Sequence, residues 1–363
     1  MDEVRRDGIP DEPQSRGPNG LTDLAARAAV VSAVALFLTA VVVGAAYAFE
    51  VLMLAFAGVL FAILLRAVAG FIDRNTGVGD KASIAAAVLI VAGGTVGTAW
   101  SLAPQVARQT DELRRTLPRS AERLTNELGQ YEWGRWVLRE APDADDLMPR
   151  RHDLLARITG VVSTALSLVG AVFVVFFIGL YLAAQPRMYI GGLTRLVPPA
   201  RRGRAGEVVA KVGAALRWWL LGKLVAMVFV GVLVWLMLLL LGLPFAVTLG
   251  VIAAVFTFIP NFGPVISAVP AVLVGLLDGP ATAVWVVVLF TAIQVVESYI
   301  LTPLIQQQTV SLPAALTITT QLILGVFVGG VGLALATPLT LVAVVLVREL
   351  YVRDLLGDPE AAA

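Results

Sequence analysis

FIPNFGPVISAVP, residues 258–270, is the stretch on which the fold turns. It lies inside an apolar run, 244–277, which as a single helix would extend about 50 Å, well past the ~30 Å hydrocarbon core of a bilayer. Pro260, Pro264 and Pro270 lack the N–H that a helix uses, and their rings crowd the preceding turn. Prolines this closely spaced predict a helical hairpin or an unwound segment near 260–264. Backbone groups freed at membrane depth persist only where protein or a water-filled cavity satisfies them, and transporters build binding sites from such broken helices. The competing reading is that the prolines merely kink a packed helix.

The flanking sequence has the same apolar texture. Mean hydropathy is +0.85 and 15% of the 363 residues are charged, a composition that a single water-soluble core could not hide. Runs of about 20 apolar residues predict eight membrane segments, near 27–48, 50–70, 82–103, 159–183, 214–241, 244–277, 281–302 and 314–347. The expected fold class is all-α, a polytopic transmembrane helical protein with Pro-broken or re-entrant helices in its C-terminal half. Further breaks are expected where Pro303 and Pro313 enclose LIQQQTVSL, and at Thr337-Pro338.

Domain boundaries follow from charge. Residues 1–26 read as a disordered cytoplasmic tail, because their polar, Pro/Gly-punctuated start has the wrong order for a cleavable signal. Residues 27–103 hold three spans, 104–158 a soluble amphipathic helical insertion, 159–347 the C-terminal membrane domain and 348–363 a second cytoplasmic tail. In the insertion, Val106, Leu113, Leu117, Leu124 and Leu128 form one helical stripe, Pro118 is expected to kink or divide it, and Trp133 and Trp136 suit the membrane interface. The stripe either lies on the protein or the headgroups, or serves a partner. Sixteen basic residues fall on the side of the N-terminus against ten in the acid-balanced insertion, which places both termini in the cytoplasm. Trp218 and Trp219 read as an interfacial belt. Gly93 with Gly97, and Gly325 with Gly329, have the spacing that lets helices approach closely, a weak signal in a chain rich in small residues.

Several chemistries drop out. The chain has no cysteine and one histidine, His152, so thiol chemistry and a histidine metal cluster are excluded, and no cofactor or metal is expected. A net charge of +1 argues against nucleic acid. Gly77-Val78-Gly79-Asp80 matches the GxGD string of intramembrane aspartyl proteases, yet it sits in a charged loop with no second intramembrane aspartate. HExxH and GxxxxGK[ST] are missing, so a non-enzymatic role is expected.

Charges inside the spans are few and costly. Glu297 shares a helix face with Thr291, Gln294, Ser298 and Thr302. It either lines a path and binds a coupling proton or cation, or is a structural carboxylate that caps a broken helix or pairs with Arg or Lys. Lys223, about 10 Å into its span, can snorkel to a cytoplasmic entrance beside Arg217. Glu297 lies about 24 Å along the seventh span from that side, so a direct pair is not expected.

LLGLPFAVTLG (240–250), FIPNFGPVISAVPAVL (258–273), QVVESYILTPLIQ (294–306) and GGVGLALATPL (329–339) resemble, in order and spacing, the autoinducer-2 exporter family of bacterial membrane proteins. The resemblance covers about 210–357; the N-terminal spans share only the layout. It implies eight membrane segments, a soluble insertion between the third and fourth, and export of small molecules, while some members are described as sodium or lithium/proton antiporters. It carries Pro260, Gly263, Pro264, Pro270, Glu297, Pro303 and Pro338 onto motif positions. Asn261 stands where many members have tyrosine, and Lys223 where glutamine is common; a cation there disfavours cation passage. The expected function is a secondary transporter exporting a small polar solute by alternating access, its path formed by Asn261, Gly263, Gln294, Glu297, Ser298 and Thr302. A Na+(Li+)/H+ antiporter and a membrane scaffold are the alternatives. Expected partners are the solute, H+ or Na+, the lipid bilayer and other copies in a homo-oligomer.

Overall fold

The computed structural model describes residues 19–129, 154–301, 303 and 312–358, and among these there are helices and turns but no strand. Two compact units divide between Val51 and Leu52. The first is described as the N-terminal part of α1 (Asn19–Thr76), on which the expected spans 27–48 and 50–70 both fall. The remainder of α1 and every later element belong to the second unit.

α2 (Asp80–Gly129) contains the third expected span and runs on as helix through Pro118. Trp133, Trp136 and His152 lie outside the described residues. α3 (Leu154–Ala184) turns by 86° at Gln185 into α4 (Pro186–Arg195), whose proline takes a first-turn position where no N–H is needed. A 3₁₀ turn, Pro199–Arg201, leads into α5 (Arg202–Leu240). Then come α6 (Ala246–Thr257), α7 (Phe262–Asp278), α8 (Pro280–Val296) with a π-helical extension Glu297–Leu301, α9 (Ala314–Val328), and α10 (Gly330–Leu346) with a π-helical extension Val347–Arg353. Among the described residues five helices are long and apolar enough to cross a bilayer, or six if α3 and α4 form one bent span. Val225, Val228 and Leu239 on α5, Val284 and Trp285 on α8, and Val326 and Phe327 on α9 are exposed. An outer surface this apolar suits lipid as its solvent. The chain is a multi-pass, all-α membrane protein.

Neither long C-terminal run is a single span. At 1.5 Å per residue α6 reaches about 18 Å, α7 about 26 Å and α9 about 22 Å, all short of the hydrocarbon core. α6 and α7 pack against each other as a hairpin, as do α9 and α10. The first hairpin turns at Phe258–Asn261, where Ile259 N–H donates to the Phe256 carbonyl and Gly263 N–H to the Ile259 carbonyl. Asn261 takes φ 67° and ψ −50°, the centre of a tight γ-turn in which the Phe262 N–H donates to the Pro260 carbonyl at 2.8 Å. The second turns at Gly329, φ 71°.

The prolines divide by role. Pro260 lies in the first turn, whereas Pro264 stands in the opening turn of α7, where an N–H has no helical acceptor, and so starts a helix instead of breaking one. Pro270 and Pro338 are inside α7 and α10, and the break expected at Thr337-Pro338 sits instead at Gly329. Helices in a membrane carry such prolines because packed neighbours and hydroxyl side chains compensate for the lost bond. Pro303 is helical, and the segment between it and Leu312 lies outside the described residues.

Buried polar contacts hold the first turn against the second hairpin. Gln321 of α9, fully buried, donates from Nε2 to the Pro260 carbonyl at 3.0 Å and accepts from Asn261 Nδ2 at 3.3 Å. Its Nε2 also reaches Thr337 Oγ1 of α10 at 3.5 Å. The hairpins root at opposite ends of α5. α6 begins just past its C-terminus, whereas the end of α10 is tied to its N-terminus by ion pairs of Glu349 with Arg204 (2.7 Å) and Lys211 (2.6 Å). On α1, Arg66 donates to the Ala183 carbonyl at 2.7 Å and pairs with Asp80 at 2.6 Å, joining the end of α3 to the α1–α2 turn. Asp80 of the GxGD string is thus a structural partner.

Small residues set the close crossings. Gly58 of α1 faces Gly179 of α3, Gly231 of α5 faces Gly250 of α6, and Gly275 of α7 faces Ala283 of α8. Gly93 and Gly97 have open space, and Gly329 serves the turn.

Within the hairpins, a Cβ at Gly263 would overlap the Phe256 carbonyl, and one at Gly332 the Leu324 carbonyl. Gly263→Ala and Gly332→Ala should therefore each destabilise by about 1–3 kcal/mol, whereas Gly213→Ala, inside α5 and in open space, should be neutral or stabilise by up to about 1 kcal/mol. Thermal unfolding in detergent checks this. Gln321→Leu removes the acceptor of the Asn261 amide and one of two donors to the Pro260 carbonyl, which keeps the Phe262 N–H, and should cost about 1–3 kcal/mol in the same assay.

Candidate functional site

The fold-back of the first hairpin fixes which charges meet. Because α6 and α7 return to the end they left, α8 starts where α5 stops and runs antiparallel to it. From Leu240 back to Lys223, and from Pro280 forward to Glu297, is the same helical distance, about 26 Å. The two side chains consequently sit at one level, with Lys223 Nζ 3.6 Å from Glu297 Oε1. This corrects the expectation that they lie too far apart to pair, which counted 244–277 as a full crossing and so measured the depth of Glu297 from the wrong end. Both side chains are close to nine-tenths buried.

The pair opens on a cavity of about 330 Å³. The first-hairpin turn contributes Pro260 and Asn261, α8 and its extension contribute Gln294, Glu297 and Ser298, and α5 contributes Trp219 and Lys223. Leu312, Ala314 and Thr317 close it from the start of α9, and Thr337 from α10. Trp219 therefore turns inward, edge to face with Phe258 at 5.9 Å, in place of the interfacial role expected from its sequence position. A second depression, between α7 and α8, shares Pro264, Gln294 and Ser298 with the first and is otherwise lined by residues such as Phe290, Thr291 and Tyr299.

Four residues expected along a path, Asn261, Gln294, Glu297 and Ser298, thus line one cavity with Lys223. Gln294 Nε2 donates to Ser298 Oγ at 3.2 Å along the predicted polar face. Gly263 is the exception: it serves the packing inside the hairpin and is not part of the lining. Thr302 lies outside the described residues. Arg217 is partly buried, does not line the cavity, and its Nε has no hydrogen-bond partner among the described residues.

Glu297 both pairs with Lys223 and lines the cavity. The π-helical turn that begins at Glu297 widens the backbone there, a distortion frequent at functional sites. Glu297 Oε2 is buried with no hydrogen-bond partner among the described residues. An oxygen in that state departs from the rule that buried polar atoms are hydrogen-bonded. No group of three or more His, Cys, Asp or Glu side chains able to hold a metal occurs among the described residues. Sequence reasoning missed Gln321 and the inward turn of Trp219. An uncharged glutamine in the middle of an apolar run was the available signal for the first.

The model of the AI-2E family transporters matches residues 33–351. The chain is 25% identical over 250 residues to a Bacillus subtilis (strain 168) protein named "Putative transport protein YueF", a match covering 66% of this chain and 68% of the other. It is 27% identical over 261 residues to YrrI of the same organism, named in the same terms, with 68% and 72% covered. YhhT of Escherichia coli (strain K12), again so named, is 35% identical over 119 residues, about a third of each chain. The family match spans the helices that build the cavity as well as those that support it, and the chain belongs to the AI-2E family of membrane transporters.

Proposed function

We propose that this transporter exports a small polar solute by alternating access, drawing on an ion gradient, with the Lys223–Glu297 cavity as its binding site. The observation that carries the reading is the placement of that pair. Two opposite charges, each costly to bury, face a cavity at the meeting point of two hairpins that root at opposite ends of α5. Broken helices around a site inside the membrane domain are the arrangement from which alternating access proceeds. Asn261, Gln294 and Ser298 supply hydrogen-bonding groups around the solute, and Gln321 holds the first turn in place.

The Arg-rich start of α5 and the end of α10 meet through the Glu349 ion pairs. Taken with the excess of Lys and Arg in those segments, this supports a cytoplasmic face there and a cytoplasmic C-terminus. Glu297, where α8 passes into its π-helical extension, then lies toward that face, as an entrance for export requires.

Cation/proton antiport is the second reading, favoured by the unpartnered Oε2 of Glu297. Against it stands Lys223, whose ammonium already occupies the position a bare cation would take.

Flux in proteoliposomes separates the two. Under an imposed pH gradient, wild type should move at least one of a panel of labelled small polar solutes without exchanging sodium or lithium, and Glu297→Gln should lower that flux at least about tenfold, the effect of about 1.4 kcal/mol in the barrier. Sodium- or lithium-coupled proton movement that Glu297→Gln abolishes would establish the antiporter instead. A silent wild-type protein with native unfolding behaviour would favour a scaffold role.

A further inference from the structure

Neither cavity charge is fully satisfied by the other. The 3.6 Å between Lys223 Nζ and Glu297 Oε1 exceeds a hydrogen bond, and Oε2 has no partner among the described residues. Buried charges are normally both paired and hydrogen-bonded, so this pair has bonding capacity left for a third party. The net charge of the pair is zero. A monovalent cation would have to displace the Lys223 ammonium and a simple anion the Glu297 carboxylate, each leaving a buried charge uncompensated. A neutral polyol would supply hydrogen bonds but no charge to either group. A solute with both charges on adjacent carbons answers the two together and adds no net charge to a buried site.

The remaining lining fits such a molecule. Trp219, Ala226, Leu312 and Ala314 give an apolar wall beside the pair, and a volume of about 330 Å³ lies at the small end of ligand cavities. We propose that the cavity binds a small zwitterion of the α-amino-acid type, its ammonium on the Glu297 carboxylate, its carboxylate on Lys223 Nζ and its side group against Trp219 and Leu312. This assignment rests on the transporter reading of the cavity and narrows its solute class.

The test is calorimetric titration of the purified full chain in nanodiscs with five probes. These are leucine and threonine as zwitterions, 3-methylbutylamine and 4-methylpentanoate as the single-charge analogues of leucine, and xylitol as a neutral polyol. At least one amino acid should bind, each single-charge analogue at least tenfold more weakly, and xylitol not measurably. Glu297→Gln and Lys223→Met should each abolish binding. The swap Lys223→Glu with Glu297→Lys preserves the pair and should recover part of it, which keeps the test informative if a single variant misfolds. Binding of the amine as tightly as leucine, binding of xylitol, or no binding of either amino acid to wild type overturns the proposal. If neither amino acid binds yet Glu297-dependent flux of another solute is seen, the zwitterion assignment fails and the transporter reading survives. An amino acid that binds but never crosses a proteoliposome membrane supports the zwitterion site and overturns the transporter reading.

Discussion

A helix of about 18 Å cannot cross about 30 Å of hydrocarbon, and α6 is that short. The chain must therefore fold back through Phe258–Asn261, and the direction of every later element follows. α8 runs antiparallel to α5, Glu297 arrives level with Lys223, and α9 begins beside the cavity that the first turn has closed. The turn is possible because Gly263 lets α7 lie against the Phe256 carbonyl and because Asn261 accepts a positive φ. Gln321 then answers the polar groups the turn exposes, as backbone at membrane depth demands.

Burying a lysine and a glutamate carries a desolvation penalty that an imperfect pair does not fully recover, and an apolar pair of the same size would often be at least as stable. The arrangement is therefore poor evidence for stability and better evidence for use. Elsewhere the same chemistry is treated differently. Glu349 is also buried, but it contacts Arg204, Lys211 and Arg353 together and borders a surface, where it fastens α10 to α5. One carboxylate is saturated and structural, while the other lines a cavity and keeps an oxygen without a hydrogen-bond partner among the described residues.

Much of this was legible in the residues. Apolar run lengths gave the all-helical membrane class, and proline spacing located the first hairpin. Proline alone did not tell a turn from a tolerated kink: Pro260 is in the turn, whereas Pro270 and Pro338 sit inside helices whose neighbours absorb the lost bond. In the second hairpin the informative residues in GGVGLALATPL were Gly329, with its positive φ, and Gly332, which has no room for a Cβ. Glu297 and its polar face were readable, but its partner was not, because depth counted along a sequence depends on how many preceding runs cross the membrane. Gln321 and Trp219 gained their places from tertiary packing that no local pattern encodes.

The fold-back can be measured directly, since the chain contains no cysteine and single substitutions report without background. Leu240→Cys, at the end of α5, and Ala281→Cys, at the start of α8, flank the first hairpin, and Ala200→Cys marks the opposite end of α5. A membrane-impermeant thiol reagent applied to sealed vesicles of one orientation should label Leu240→Cys and Ala281→Cys from the same side and Ala200→Cys from the other. Labelling of Leu240→Cys and Ala281→Cys from opposite sides would mean that 244–278 crosses the membrane, and would separate Lys223 from Glu297.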